Sequence, residues 1–133
     1  MKTILFVDDQ VNIRKFLKEQ FEEEGYRVVL AQDGWEALSV VKQEHPDVAV
    51  LDLIMPRAGG LDSAEMIMEI HPGLPVVFFT AYDDLCIKDA RARRAVACIE
   101  KSADLTELKR TVSAIISAGT EKMHIRCGLP PES

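Results

Sequence analysis

Five short apolar runs, each separated from the next by enough residues for a helix, constrain the fold of this chain more than any other feature. They are Ile4–Val7, Val28–Ala31, Val48–Leu51, Val76–Phe79 and Ala95–Ile99. The first four carry β-branched residues, and the fifth is built of smaller side chains. Continuous apolar runs of this length suit strands buried on both faces. The segments between them show helical spacing. In the first, Ile13, Phe16, Leu17 and Phe21 fall on one stripe and Gly25 stands where the helix would stop. The second is opened by Asp33-Gly34 and carries Ala37, Leu38 and Val41. The third carries Leu61, Ala64, Ile67 and Met68 and stops before Pro72, and the fourth covers roughly residues 83–94. The last carries Leu105, Leu108, Val112, Ile115 and Ile116, with Asp104 and Glu107 spaced as a capping box. Strict alternation of strand and helix gives parallel βαβ units with right-handed crossovers. The expected fold is therefore α/β, a five-stranded parallel sheet with helices on both faces.

A chain of 133 residues has room for one such domain. Residues 119–133 lack periodicity and contain Pro130-Pro131, so they read as a tail or linker stub after a domain of residues 1–118. The net charge of -6 argues against gripping nucleic acid by bulk charge. No apolar run approaches the roughly 20 residues of a membrane-spanning helix. Asp8 and Asp9 end the first run too early for an export signal. The expected location is the cytoplasm. Cys86, Cys98 and Cys127 form an odd, scattered set without a C-x-x-C pair. That pattern indicates neither a disulfide framework nor a zinc site, and free thiols fit a reducing compartment.

The polar residues that stand out lie just after the strands: Asp8 and Asp9 after the first, Asp52 after the third, Thr80 after the fourth, Lys101 after the fifth. In an open parallel sheet, ligands bind outside the carboxyl ends of the strands. Each residue alone has an ordinary explanation. An aspartate there can be solvated or can cap a helix, as Asp9 could for the first one. A threonine can end a strand, and a lysine can be solvated. Together they form a site. Crowded carboxylates repel, and a hard divalent cation relieves the repulsion; all-oxygen donors in an open site favour Mg2+. A carboxylate beside such a cation and an ammonium can act as a nucleophile and accept a phosphoryl group.

At these residues the chain resembles the receiver domain of two-component response regulators. The resemblance runs from about residue 3 to residue 118. It rests on Val7-Asp8-Asp9-Gln10, Asp33-Gly34-x-x-Ala37-Leu38, Pro46-Asp47-x-x-x-x-Asp52-x-x-Met55-Pro56-x-x-x-Gly60, Thr80-Ala81 and Lys101. It implies a flavodoxin-like fold with strand order 2-1-3-4-5. It implies Asp52 as phosphoacceptor, with Asp8, Asp9, Asp52 and the Ile54 carbonyl as the protein side of an Mg2+ site. Thr80 corresponds to the switch hydroxyl and Lys101 to the phosphoryl-binding lysine. The implied partners are a sensor histidine kinase or histidine phosphotransfer domain, and a downstream protein or an output domain outside these residues. Output would pass to the surface of the fourth helix, fifth strand and fifth helix.

Three positions depart from the family pattern. Cys98 replaces the aromatic residue usual three before the lysine, Ser102 replaces the proline after it, and Arg94-Ala95 replaces Gly-Ala. The first makes Cys98 an atypical switch position. The second removes the proline that favours a cis bond; a cis non-proline bond costs about 3–4 kcal/mol, and the sequence leaves open whether Lys101–Ser102 is cis or trans. By the same resemblance, Ile54 and Tyr82 occupy the positions that flank the path of hydrolytic water in the family, and neither carries an acid or amide to orient it. A comparatively long-lived phosphoryl group follows.

The competing class is an aspartyl-phosphate phosphatase, which needs an acid two residues after its nucleophile, where this chain has Ile54. A flavin module would need a phosphate-cradling loop after the first strand, where Asp8 and Asp9 would repel phosphate. Ile13, Leu17 and Pro56 are apolar near the site, as core or as docking surface for a kinase helix. Lys88, Arg91, Arg93 and Arg94 form a basic cluster, a solvated face or a partner contact. Trp35 is expected to be partly exposed, and Cys98 a small packed residue.

Overall fold

The computed structural model describes residues 1–55, 59–81, 92 and 94–118. Its strands are β1 (Thr3–Val7), β2 (Arg27–Ala31), β3 (Val48–Leu51), β4 (Val76–Thr80) and β5 (Ala97–Glu100). Its helices are α1 (Val11–Glu23), α2 (Gly34–Glu44), α3 (Gly60–Ile70) and α4 (Thr106–Ala118). The sheet is parallel throughout, in the order β2-β1-β3-β4-β5 expected from the sequence. The fourth helical segment expected over residues 83–94 lies almost wholly outside the described residues, as does the tail. Among the described residues no helix is long and apolar enough to cross a membrane.

The two faces of the sheet carry separate cores because successive strand residues point in opposite directions. Leu5, Val7, Ala49, Leu51, Val76, Phe78 and Cys98 pack with Ala37 and Val41 of α2 and Ala64 and Ile67 of α3. Ile4, Phe6, Val48, Val50, Val77, Phe79 and Ile99 pack with Leu17 and Phe21 of α1 and Leu108, Val112 and Ile115 of α4. The Phe6 and Phe21 rings lie 4.9 Å apart between centroids. Truncating a fully buried phenylalanine such as Phe21 costs about 3–5 kcal/mol.

The helix ends follow the local sequence. After α1, Gly25 takes a φ of +95° that a side chain would resist. Its N–H donates to the Glu22 carbonyl and that of Tyr26 to Phe21, closing the helix. The Asp33 carboxylate accepts the Glu36 N–H at 2.9 Å, and the Glu36 carboxylate accepts the Gln32 N–H at 2.7 Å. At α4 the capping differs slightly from expectation. Asp104 lies two residues before the helix starts and accepts both the hydroxyl, at 2.6 Å, and the N–H, at 3.0 Å, of Thr106. These bonds, the hydroxyl's first, hold its carboxyl below the usual carboxylate range.

The ordinary alternative of a capping role for Asp9 does not hold, since the N-cap of α1 is Gln10, with no side-chain bond. One expectation needs correction. Cys98 is not a free thiol but is disulfide-bonded, its partner lying outside the described residues. The sequence pattern hides such a pair because the fold, not the spacing along the chain, brings two Cβ atoms within reach. Cys98 is nonetheless packed, only 5% exposed.

Candidate functional site

The strand registers bring the ends of β1, β2 and β3 level, with Val7 opposite both Ala31 and Leu51. The bonding continues one residue further: the Asp8 N–H donates to the Ala31 carbonyl and the Asp52 N–H to the Val7 carbonyl, each at 3.1 Å. Asp8 and Asp52 are therefore held as if still in the sheet, with their side chains at its carboxyl edge. On the other side, Lys101 donates its backbone N–H to the Thr80 carbonyl at 2.8 Å, just beyond β5. The sequence thus folds four strand ends into one pocket.

The side chains then meet. The Lys101 ammonium donates to Asp8 Oδ2 at 2.6 Å and to Asp52 Oδ2 at 2.8 Å. Asp8 is 3% and Asp52 9% exposed, while Asp9 lies on the surface. Each aspartate places one carboxylate oxygen within 4.8 Å of those of the other two. At that separation each pair repels by about 3.5 kcal/mol at an effective dielectric near 20. One ammonium against three carboxylates leaves negative charge in excess, and all the donors are hard oxygens. That donor set fits a divalent cation of the Mg2+ class. Burial pulls the Lys101 pKa down, but its hydrogen bonds to Asp52 and Asp8, and their charges, outweigh burial and raise it above the usual lysine value. The ammonium is therefore kept protonated in place.

The remaining carboxylate oxygens are also oriented. Asp8 Oδ1 accepts the Gln10 N–H at 2.9 Å, and Asp52 Oδ1 accepts the Ile54 N–H at 3.2 Å. Thr80 is fully buried at the end of β4, so it belongs to the same edge. Ile54 is 49% exposed. The residue that sequence reasoning missed is Arg14. Its guanidinium donates to the Asp8 carbonyl at 2.7 Å, bracing the loop that carries the first two aspartates. Its signal was its place on α1, a turn and a half after Asp8, but among Lys15, Lys18 and Glu19 it looked like one more solvated charge. Lys101–Ser102 is trans, settling a bond whose geometry the sequence leaves open, since no described peptide bond is cis. Tyr82 and Pro56, and Lys88, Arg91 and Arg93 of the basic cluster, lie outside the described residues.

A cavity of about 310 Å3 opens beside Lys101, lined by Ile13, Phe16, Leu17, Phe79, Ala81, Ser102 and Leu105 among others. It runs between α1 and the β5–α4 loop.

A parallel sheet in this order, with three aspartates and a lysine at its carboxyl edge, defines a receiver-type phosphoacceptor domain. The response regulator receiver domain model matches residues 4–113, and the chain belongs to that family. It is a phosphoacceptor signalling switch of the two-component class. Among its relatives is sporulation initiation phosphotransferase F of Bacillus subtilis, 34% identical over 110 residues, which are 82% of this chain and 89% of that protein. The response regulator MprA of Mycolicibacterium vanbaalenii is 40% identical over 82 residues, 62% of this chain but only 36% of that longer protein. Among solved structures, response regulator TrrA of Thermotoga maritima in complex with Mg2+-BeF superposes with a TM-score of 0.82 at 36% identity, covering 86% of this chain and 99% of that one. TrrA in complex with the histidine kinase ThkA gives a TM-score of 0.81, also at 36% identity, over 87% and 99% of the two chains.

Proposed function

We propose that Asp52 is the phosphoacceptor, that it takes a phosphoryl group from a histidine of a sensor kinase or phosphotransfer protein in the cytoplasm, and that the reaction depends on Mg2+. The observation that carries this is the Lys101 ammonium held between Asp52 and Asp8, with Asp9 in ligating reach. Asp8, Asp9, Asp52 and the Ile54 carbonyl would hold the cation, which when bound neutralises charge on the carboxylates and on the incoming phosphoryl oxygens.

The chain's own residues do the rest. An Asp52 carboxylate oxygen attacks phosphorus in line. The new P–O bond forms as the P–N bond to the donor imidazole breaks, and the imidazole nitrogen keeps the electron pair. The Lys101 ammonium, held 2.8 Å from Asp52, stands close enough to pair with the phosphoryl oxygens as they gain charge. The Thr80 hydroxyl supplies a further donor from the end of β4. Ile54, two residues beyond the nucleophile, cannot transfer a proton, which supports a switch with slow self-catalysed dephosphorylation rather than a phosphatase. The apolar cavity beside Lys101 suits a helix of the phosphodonor, since it places that helix next to the nucleophile. Output passes to a downstream protein or to an output domain in a longer chain.

Crystals soaked in Mg2+ and beryllium fluoride test the site itself. The expected result is an ion among the three aspartates and fluoroberyllate on Asp52; an empty pocket under saturating conditions contradicts it.

A further inference from the structure

Gly59 and Gly60 lead into α3, and only one of them has room for a side chain. A Cβ on Gly59 would meet only the Leu53 carbonyl oxygen, at 3.7 Å, an ordinary contact. A Cβ on Gly60 would lie 2.0 Å from the Asp52 carbonyl oxygen, 2.6 Å from Leu53 Cα and 2.8 Å from the Asp52 carbonyl carbon. All three are backbone atoms, so no rotamer change relieves the clash. Conformation is not the reason for glycine here, because Gly60 has no positive φ. The demand is for space.

The backbone that Gly60 approaches is the segment that carries the phosphoacceptor. Asp52 is tied to β1 through its N–H on Val7, and Leu53 is tied to α3 by accepting the Gly60 N–H at 2.9 Å. The Asp52 carboxylate in turn accepts the Ile54 N–H. Residues 52–54 are thus held between β1 and the first turn of α3. We propose that Gly60 is a positioning residue for the phosphoacceptor: its missing side chain sets where Asp52 and the Ile54 carbonyl stand relative to Asp8, Asp9 and Lys101. The proposal rests on the phosphoacceptor reading and deepens it. A methyl group at position 60 would drive the Asp52–Leu53 backbone and α3 apart by about 1 Å. The Lys101–Asp52 contact of 2.8 Å and the carboxylate triad do not survive such a shift unchanged. A misplacement of that size costs on the order of a hundredfold in rate.

The test compares the unsubstituted protein with Gly59→Ala and Gly60→Ala. Thermal melts report folding, calorimetric titration reports Mg2+ affinity, and acetyl phosphate at saturating Mg2+ reports the rate of phosphorylation. Gly59→Ala, at the N-cap of α3, is expected to melt somewhat lower but to match the unsubstituted protein in Mg2+ affinity and rate. Gly60→Ala is expected to melt cooperatively while losing about tenfold or more in Mg2+ affinity and on the order of a hundredfold in rate. A cooperatively folded Gly60→Ala with unchanged affinity and rate overturns the proposal. Should Gly60→Ala not fold, the amide signals of the unsubstituted protein decide. The Gly60 and Ile54 N–H resonances should shift together during the Mg2+ titration, because Leu53 links them; a shift at Ile54 with none at Gly60 overturns the proposal. An unsubstituted protein that neither binds Mg2+ nor takes up phosphate overturns the phosphoacceptor reading, and this inference with it.

Discussion

Lys101 is the residue on which the electrostatics of the pocket turn. It is the one cation in contact with the two buried carboxylates among the described residues, and it holds both. Replacing it with alanine leaves Asp8 and Asp52 buried, close and unpaired. Breaking a buried pair in this way destabilises by about 3 kcal/mol. Lys101→Ala should therefore unfold at lower denaturant in the absence of metal, and saturating Mg2+ should restore most of the loss, because the cation supplies the missing charge. Equal losses with and without Mg2+, in denaturant titrations, would show that the ammonium acts elsewhere. Ile54 carries the second prediction at this scale. Its side chain is half exposed, two residues beyond Asp52, and has no group to orient water. Ile54→Asn and Tyr82→Glu should each speed loss of phosphate from the purified phosphoprotein by about tenfold or more, as a positioned polar group typically does. Unchanged rates in both variants would remove the gating role.

These residues differ in how far the sequence revealed them. Asp8, Asp9, Asp52 and Lys101 were legible because each directly follows an apolar strand, and parallel strands put such positions on one edge. Arg14 was not, since it sits within a helix whose polar face is charged throughout. Gly60 stood in the motif, but its steric role depends on how closely the start of α3 approaches Asp52. The disulfide at Cys98 was equally hidden, because sequence separation does not report distance in the fold.

Among the elements, α1 faces both the core and the cavity beside Lys101. Leu17 and Phe21 bury its inner stripe against the sheet, while Ile13 and Phe16 reach the cavity beside Lys101. Phe16 is 36% exposed, and its loss removes contact surface rather than core. Phe16→Ala should raise the KM for a protein phosphodonor by about tenfold, the effect of a well-placed aromatic at an interface. It should leave labelling by acetyl phosphate unchanged, since that small donor needs no docking surface. Equal loss with both donors, measured side by side, would place Phe16 in the fold rather than the interface. The element boundaries were well anticipated for β1 to β4 and for the first three helices, where the apolar period is regular. They were less so at α4, where Asp104 engages Thr106 from outside the helix instead of capping it directly. A side chain that accepts two hydrogen bonds from a residue two positions on competes with the simple capping geometry.

Over the whole molecule, the sheet is a device for converging side chains. Two apolar layers fix the strands in register, and the register delivers three carboxylates and an ammonium to one edge. The charge excess there fits a divalent cation of the Mg2+ class, and an apolar cavity opens alongside it. The most direct measurement is the position of the phosphoryl group after incubation with acetyl phosphate and Mg2+, mapped by mass spectrometry. A single label on Asp52, absent without Mg2+ and absent in Asp52→Asn, is the predicted result. Full-stoichiometry labelling that persists in Asp52→Asn, or that maps to another residue, would contradict it.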